Sequence, residues 1–210
     1  MPGSDSTPPH TPPQKVLLLD LGGVVLGIDF RRVFRHWAQS AGVDESLFFN
    51  HWTLDQAYKD QEIGQLDFAA YASHLSTNLG VSMPLQQWRA GWNALWTEPY
   101  YEVAALFASL KPRYTLCAFS NTNAEHATSF MLRYPDIMEQ FDHTFLSHEV
   151  GCRKPSAAAF RHVCQLMQAE PSQVTFLDDN QENVEGAQSA GLTAHLTRSE
   201  AEVVAVLQTL

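Results

Sequence analysis

The sequence predicts an α/β fold: a Rossmann-like parallel β-sheet core with helices on both faces and an inserted all-helical cap. From Lys15 onward, short apolar runs alternate with segments of helical periodicity, and the connections between them are short. One long stretch departs from this alternation, because it shows helical periodicity and no good strand. We therefore predict a Pro-rich disordered tail at residues 1–14, a Rossmann-like core at 15–29 and 100–210, and the helical cap at 30–99.

Each core strand is predicted from an apolar run. These runs are Val16–Asp20, Tyr114–Ser120, His143–Ser147, Val174–Leu177 and Thr193–Leu196. Helices are predicted between them and at the end of the chain, at Tyr101–Lys111, Ala124–Tyr134, Ser156–Gln168, Asn183–Ala190 and Glu200–Leu210. Right-handed crossovers place the carboxyl ends of parallel strands at one edge, where ligands bind. Asp20, Ser120 and the pair Asp178-Asp179 are therefore expected to meet there.

The cap is predicted from apolar and aromatic residues at helical spacing. Examples are Phe30-Val33-Phe34-Trp37 and Trp88-Trp92-Leu95-Trp96, and the whole segment suggests four or five helices. Asp29 suits the N-cap of the first helix, and Gly42 and Gly80 suit C-caps. Helical spacing indicates that most of the five tryptophans form the interior of the cap, so that no more than one or two line a pocket.

Composition limits the classes of partner. The 210-residue chain has a formal net charge of −10, which argues against a nucleic-acid partner. No apolar run approaches the length of a membrane span, and the polar N-terminus does not resemble a secretory signal. Cys117, Cys152 and Cys164 lie in or beside apolar segments, which is typical of reduced thiols. We expect a cytoplasmic monomer or homodimer that has neither a nucleic acid nor a membrane as partner.

Four polar motifs follow apolar runs in a fixed order. They are Asp20 with its glycines, Ser120-Asn121, Lys154-Pro155 and Asp178-Asp179. This order resembles the haloacid dehalogenase-like (HAD) hydrolase superfamily. Within it, Leu-Asp-Leu-Gly-Gly-Val at residues 19–24 is similar to the branch that holds small sugar-phosphate phosphatases and the phosphatase domain of soluble epoxide hydrolases. The resemblance extends from about Lys15 to the C-terminus.

The resemblance implies a Mg²⁺-dependent phosphomonoester hydrolase acting on a small, polar, sugar-like phosphorylated metabolite. Asp20 would be the nucleophile and would form an aspartyl-phosphate. Mg²⁺, which prefers oxygen ligands, would lie between the two anions. The carboxylates of Asp20 and Asp179 and the backbone carbonyl of Gly22 would bind it, while Asp178 would orient a metal-bound water or hydrogen-bond behind the ligands.

Other residues are assigned to the phosphoryl group and the substrate. Ser120 and Asn121 would bind the transferring phosphoryl group with a hydroxyl and backbone amides. Lys154 would neutralise its charge, with Arg153 as the rival for this role. Pro155 suits the first turn of the following helix. In the cap, Glu62 lies in a segment that resembles one near the family's cap pocket, and it would hydrogen-bond a sugar hydroxyl.

Gly22 departs from the pattern of the superfamily, whose phosphatases usually carry an acidic residue there to protonate the leaving oxygen. Either the leaving group needs little protonation, or a cap residue or metal-bound water substitutes, or the enzyme is slow or retired. Asp29 is either the substitute acid or only a helix cap. Asn180 and Asn183 either anchor the metal loop or cap a helix. Two alternatives stay open for the whole chain: a carbon–halogen hydrolase, and a non-catalytic binding module with the same fold.

Overall fold

The computed structural model describes residues 15–210, so the tail predicted at residues 1–14 lies outside the described residues. The strands are β1 Lys15–Leu19, β2 Leu26–Ile28, β3 Trp96–Pro99, β4 Tyr114–Ser120, β5 His143–Leu146, β6 Val174–Asp178 and β7 Thr193–Leu196. The first helices are α1 Phe30–Ala41, α2 Ser46–His51, α3 Gln56–Glu62, α4 Phe68–Leu79 and α5 Leu85–Trp92. They are followed by α6 Tyr101–Leu110, α7 Ala124–Arg133, α8 Pro135–Met138, α9 Ser147–Val150, α10 Ala157–Leu166, α11 Gln181–Ser189 and α12 Glu200–Thr209.

Five strands form a parallel sheet in the order β5-β4-β1-β6-β7, which confirms the predicted α/β fold. Strand β1 is central and pairs with β4 on one side and β6 on the other. Along β1, Leu17 and Leu19 belong to one apolar cluster, while Val16 and Leu18 belong to a second. Because side chains alternate across a strand, both faces of the sheet are covered, and this explains why β1 reads as a continuous apolar run.

The segment between β2 and β3 contains α1–α5, in agreement with the four or five helices predicted for it. The side chain of Asp29 accepts a hydrogen bond from the Arg31 amide at the N-terminus of α1. Gly42 and Gly80 end α1 and α4 in the left-handed conformation, so all three predicted caps are confirmed. The interior is aromatic: the rings of Trp37 and Trp92 stack with centroids 5.7 Å apart and planes within 4°.

The prediction of no strand within residues 30–99 is wrong at its end. Strand β3 pairs antiparallel with β2, with Leu26 opposite Pro99 and Ile28 opposite Trp96. The spacing of Trp92, Leu95 and Trp96 resembles a helix, but the conformation is set by hydrogen bonds to a strand about 70 residues away, which local periodicity does not contain. The division into core and cap domains stays a prediction.

The boundary of one helix also differs from its prediction. Helix α10 begins at Ala157 with Ser156 at the N-cap, so Pro155 lies before the cap and not in the first turn. The three cysteines are free. Among residues 15–210, no helix is both long and apolar enough to cross a membrane.

Candidate active site

Three neighbouring strands bring distant parts of the chain to one edge of the sheet. Asp20 directly follows central β1, Ser120 ends β4, and Asp178 ends β6. One carboxylate oxygen from each of Asp20, Asp178 and Asp179 lies within 4.8 Å of the others. Asp20 lies more than 150 positions before the other two aspartates in the sequence, and the structure brings all three together, as the strand topology predicted.

Lys154 lies beneath this cluster with its side chain almost fully buried. Its Nζ is 2.8 Å from Asp20 Oδ1 and 2.6 Å from Asp178 Oδ2. The same ammonium lies over the rings of Phe119 and Phe176, with Nζ 5.6 and 5.3 Å from the two ring centroids. Burial lowers the pKa of Lys154, but the two carboxylates outweigh it, and the net pKa is raised. The side chain is therefore a fixed positive charge at physiological pH.

Asn121 holds the Lys154 backbone in place. Its side-chain amide donates to the Lys154 carbonyl at 3.0 Å, and its Oδ1 accepts from the Lys154 amide at 2.9 Å. The Asn121 side chain thus ties the end of β4 to the lysine loop, and the predicted phosphoryl contact, which was assigned to backbone amides here, stays a prediction. Ser120 lines the same cavity and is nearly buried.

The two adjacent aspartates have different surroundings. Asp178 is fully buried and accepts hydrogen bonds from Lys154, from the Asn183 side chain at 3.0 and 3.1 Å, and from the Asn180 amide at 2.8 Å. Asp179 is exposed and lines the cavity, whereas Asp178 does not. The Asp178 carboxylate is therefore hydrogen-bonded by protein groups, whereas the Asp179 carboxylate faces the cavity.

The cluster fits a divalent cation. Burial raises the pKa of Asp20 to about 7, opposed mainly by the Lys154 ammonium. Burial also raises the pKa of Asp179, as does the neighbouring Asp178. Three carboxylates and one ammonium leave an excess of two negative charges. Hard oxygen donors with this excess charge are the chemistry that Mg²⁺ prefers, and a bound cation would favour the ionised form of Asp20.

Gly23 is needed where the first loop passes the Asp179 carboxylate. Its φ of 83° lies in the left-handed region, and a Cβ there would collide with the Asp179 carboxylate. The loop is closed by a hydrogen bond of 2.9 Å from the Gly23 amide to the Leu26 carbonyl. Gly22, which precedes it, lines the cavity and leaves no acidic side chain at that position.

A cavity of about 240 Å³ lies between this cluster and the helical segment above it. Its core side includes Asp20, Ser120, Asn121, Arg153, Lys154 and Asp179. The residues within 30–99 that line it are Phe30, Leu54, Tyr58, Leu95 and Trp96. Only one of the five tryptophans contributes to the lining, in agreement with the expectation of one or two. Asn180 and Asn183 line it as well, and Asn180 also caps α11.

Glu62 and Arg153 form an ion pair between α3 and the lysine loop, with Glu62 Oε2 2.6 Å from Arg153 Nε. Burial raises the pKa of Glu62, although Arg153 opposes it. Glu62 does not line the cavity. Lys154 contacts Asp20, in agreement with the choice of Lys154 over its rival Arg153 from the Lys-Pro pair, whereas the pairing of Arg153 with Glu62 was not predicted.

His126 is a wall residue whose role the sequence did not reveal. Its ring stacks on Trp92 with centroids 4.5 Å apart, and its Nε2 donates to the Trp92 carbonyl at 3.0 Å. Burial lowers the pKa of His126 to about 4, so the ring is neutral. Asp29, the other candidate acid, is paired with Arg31 through two side-chain hydrogen bonds and does not line the cavity.

Residues 14–191 match the family described as haloacid dehalogenase-like hydrolase, and this match covers four of the five strands of the sheet, the three aspartates and Lys154. The chain belongs to this family. The HAD-like hydrolase is 23% identical over 167 residues to bifunctional epoxide hydrolase 2 of Mus musculus, which covers 77% of the chain and 28% of that relative. It is also 41% identical over 73 residues to drimenol cyclase drtB of Aspergillus calidoustus, covering 35% and 14%. The chain thus spans less than a third of these curated relatives.

Solved structures give the same family and fold. The HAD family enzyme bt-2542 of Bacteroides thetaiotaomicron, in complex with magnesium and inorganic phosphate, is 26% identical, with a TM-score of 0.75 and coverage of 89% of this chain and 95% of that one. The L-2-haloacid dehalogenase of Xanthobacter autotrophicus with chloropropionic acid covalently bound is 17% identical, with a TM-score of 0.65 and coverage of 88% and 77%. This second likeness concerns the fold alone.

Proposed function

We propose that this HAD-like hydrolase is a Mg²⁺-dependent phosphomonoester hydrolase that acts on a small substrate through phospho-Asp20. The observation that carries the proposal is the meeting of three carboxylates, two of them paired with the buried Lys154 ammonium, at the floor of the cavity. The complex of bt-2542 with magnesium and inorganic phosphate supports the same chemistry. The resemblance predicts sugar phosphates as one candidate class of substrate, which the experiments below compare with apolar esters.

Asp20 and Lys154 have different roles in the proposed reaction. An oxygen of Asp20 attacks phosphorus, the bond from phosphorus to the ester oxygen breaks, and the alcohol leaves. Lys154 holds Asp20 in place and offsets the negative charge that gathers on the phosphoryl oxygens. Water then attacks phosphorus, the bond between phosphorus and the Asp20 oxygen breaks, and the water gives up a proton to solvent. Phosphate is thereby released and the Asp20 carboxylate is restored.

Mg²⁺, when bound, would supply a positive charge between the nucleophile and the phosphate. Asp20, Asp179 and the Gly22 carbonyl are the proposed ligands. Asp178 is proposed to orient a metal-bound water or to support the ligands by hydrogen bonds, since its carboxylate already accepts hydrogen bonds from Lys154 and Asn183. Ser120 and the backbone amides around Asn121 are proposed to bind the phosphoryl oxygens.

The leaving alcohol has no obvious proton donor in the cavity wall. Gly22 carries no acid, His126 is neutral with its Nε2 proton bonded to a carbonyl, and Asp29 lies elsewhere. This arrangement favours leaving groups that need little protonation, or protonation by water. General acid catalysis typically contributes about 10²–10⁴-fold, so alkyl phosphates should turn over more slowly than acyl phosphates.

The test is phosphate release from acetyl phosphate by the wild type and by Asp20→Asn, each with Mg²⁺ and with EDTA. We expect activity from the wild type with Mg²⁺ alone, and at least a thousandfold loss in Asp20→Asn with an unchanged circular dichroism spectrum. Asp136→Asn, on exposed α8, is the matched control and should keep full activity. Equal turnover by Asp20→Asn would refute the proposal, and chloride release from 2-chloropropionate without Mg²⁺ would favour the carbon–halogen hydrolase.

A further inference from the structure

The cavity has two chemically different ends. Its floor carries the charged groups of the proposed active site, whereas the five lining residues of the segment 30–99 are apolar or aromatic. None of these five is charged, and Ile28 and Phe130 add further carbon surface from the core. A phosphate held over Asp20 would therefore direct the rest of its molecule toward a wall made mostly of carbon.

The few polar side-chain atoms on the upper wall already have hydrogen-bond partners within the protein. Trp96 Nε1 donates to Ser129 Oγ at 3.0 Å. Burial raises the pKa of the Tyr58 hydroxyl well above its ordinary value, as does the nearby Glu62 carboxylate, to which the hydroxyl can donate. His126 Nε2 donates to the Trp92 carbonyl. A ligand hydroxyl placed here would lose water without gaining an equivalent partner, which is unfavourable.

Glu62 does not change this picture. Its side chain is 4% exposed, and it is committed to Arg153. Arg153 lines the cavity between the two ends, and its Nε is paired with Glu62 Oε2 2.6 Å away. The residue expected to bind a sugar hydroxyl therefore does not present its carboxylate to the cavity.

We infer that the alcohol esterified to the phosphate is small and apolar or aromatic, and is not a polyhydroxylated sugar. This inference rests on the proposed phosphatase function and names the substrate class of that same site. The cavity of about 240 Å³ lies below the range of roughly 300–1,000 Å³ typical of drug-sized ligands, which suits an alcohol about the size of one ring.

A matched pair of esters tests the inference. Cyclohexyl phosphate and myo-inositol 1-phosphate share a six-membered carbon ring, but only inositol carries five further hydroxyls. Inositol is also the more acidic alcohol and the better leaving group, so intrinsic reactivity opposes the expected result. We expect kcat/KM for cyclohexyl phosphate to exceed that for inositol phosphate by about a hundredfold.

Acetyl phosphate separates the proposed phosphatase function from the inference about the alcohol, because its acetyl group is too small to make much contact with the wall. Phosphate release from acetyl phosphate together with a preference for inositol phosphate would overturn the inference and leave the proposed function standing. Failure to release phosphate from any of the three compounds would overturn the proposed function. Dissociation constants of both esters for Asp20→Asn with Mg²⁺ decide the inference without turnover, and tighter binding of inositol phosphate would refute it.

A surface substitution in the wall provides a second test. Leu54 lines the cavity and is 56% exposed, so Leu54→Asn should fold. We expect it to reduce kcat/KM for cyclohexyl phosphate at least fivefold and to leave acetyl phosphate unaffected. The matched control is Leu132→Asn on α7, since Leu132 is 78% exposed and outside the cavity lining. Equal effects of the two variants would count against the proposed wall.

Discussion

A lysine in the centre of a protein is tolerated only when its charge is matched, and Lys154 shows how. Its ammonium lies between Asp20 and Asp178 and over two aromatic faces, so carboxylates replace the water that it loses. The Lys-Pro pair could be assigned from the sequence by its resemblance to a family. The partner Asn183, which fixes Asp178, could not be assigned, because an asparagine near a helix start is equally suited to capping.

His126 predicts a pH dependence of stability. Its pKa is lowered from 6.5 to about 4 by burial, so the unfolded chain binds a proton that the folded protein rejects between these values. The associated stability is fully present above pH 6.5 and is lost as the pH falls toward 4. From the roughly 2.5-unit shift we expect a contribution of about 3 kcal/mol across this window.

The measurement is the free energy of unfolding in urea at intervals from pH 7.5 to pH 4.5, for the wild type and His126→Gln. The variant is expected to be less stable at pH 7, because it loses the stacking on Trp92. Its stability should also fall less steeply as the pH drops, and this difference in slope carries the test. His36→Gln is the control, and parallel curves for the wild type and His126→Gln would contradict the assignment.

At the scale of elements, the prediction succeeded where local pattern and final environment agree. Strands β4 and β7 occur at their predicted bounds. The apolar run of β4 suits a buried parallel strand, whereas β7 is a half-exposed strand at the edge of the sheet. Strands β2 and β3 were missed because each is short and is defined by pairing with the other. Helices α8 and α9 were missed as well, since four residues contain no helical periodicity.

The ion pair between α3 and the lysine loop predicts energetic coupling across the cavity. We expect Glu62→Gln and Arg153→Met, combined in a double-mutant cycle, to show a coupling energy of about 1–2 kcal/mol in urea unfolding. The reason is that the Glu62 side chain is nearly buried and the atoms are 2.6 Å apart. Removing one partner leaves the other charge without compensation.

The pair Arg35–Glu45 serves as the matched control within the same helical segment. Its atoms are 3.7 Å apart and its side chains are 60% and 49% exposed. Exposed pairs of this kind contribute little, so we expect a coupling energy below about 0.5 kcal/mol. Similar coupling energies for both pairs would show that burial of Glu62 has no special effect.

For the whole molecule, the helical segment and the sheet form one continuous apolar cluster. Leu17 and Leu19 of β1 belong to the same cluster as Trp37 of α1 and Trp92 of α5. The wall above the cavity and the floor below it are therefore stabilised together. The fold class could be predicted from strand and helix alternation, but this continuity could not, because it depends on which helix faces pack on the sheet.

Magnesium is expected to stabilise the entire fold, since its proposed ligands come from loops after β1 and β6. At a hundred times its dissociation constant it should add about 2.7 kcal/mol, which corresponds to a rise in melting temperature of roughly 5–10 °C. Asp179→Asn should lose most of this rise, whereas Asp136→Asn should retain it. Thermal unfolding with 10 mM Mg²⁺ and with EDTA measures both, and an equal rise in the two variants would exclude Asp179 as a ligand.

The antiparallel pairing of β2 with β3 has a consequence for how such proteins diversify. The helical segment begins after β2 and ends before β3, and these two strands pair with each other, with Leu26 opposite Pro99. Because both ends of the intervening segment are fixed by this pairing, its length can change without a change in the register of the five-stranded sheet. Such a change would alter the wall of the cavity and leave the carboxylate cluster in place.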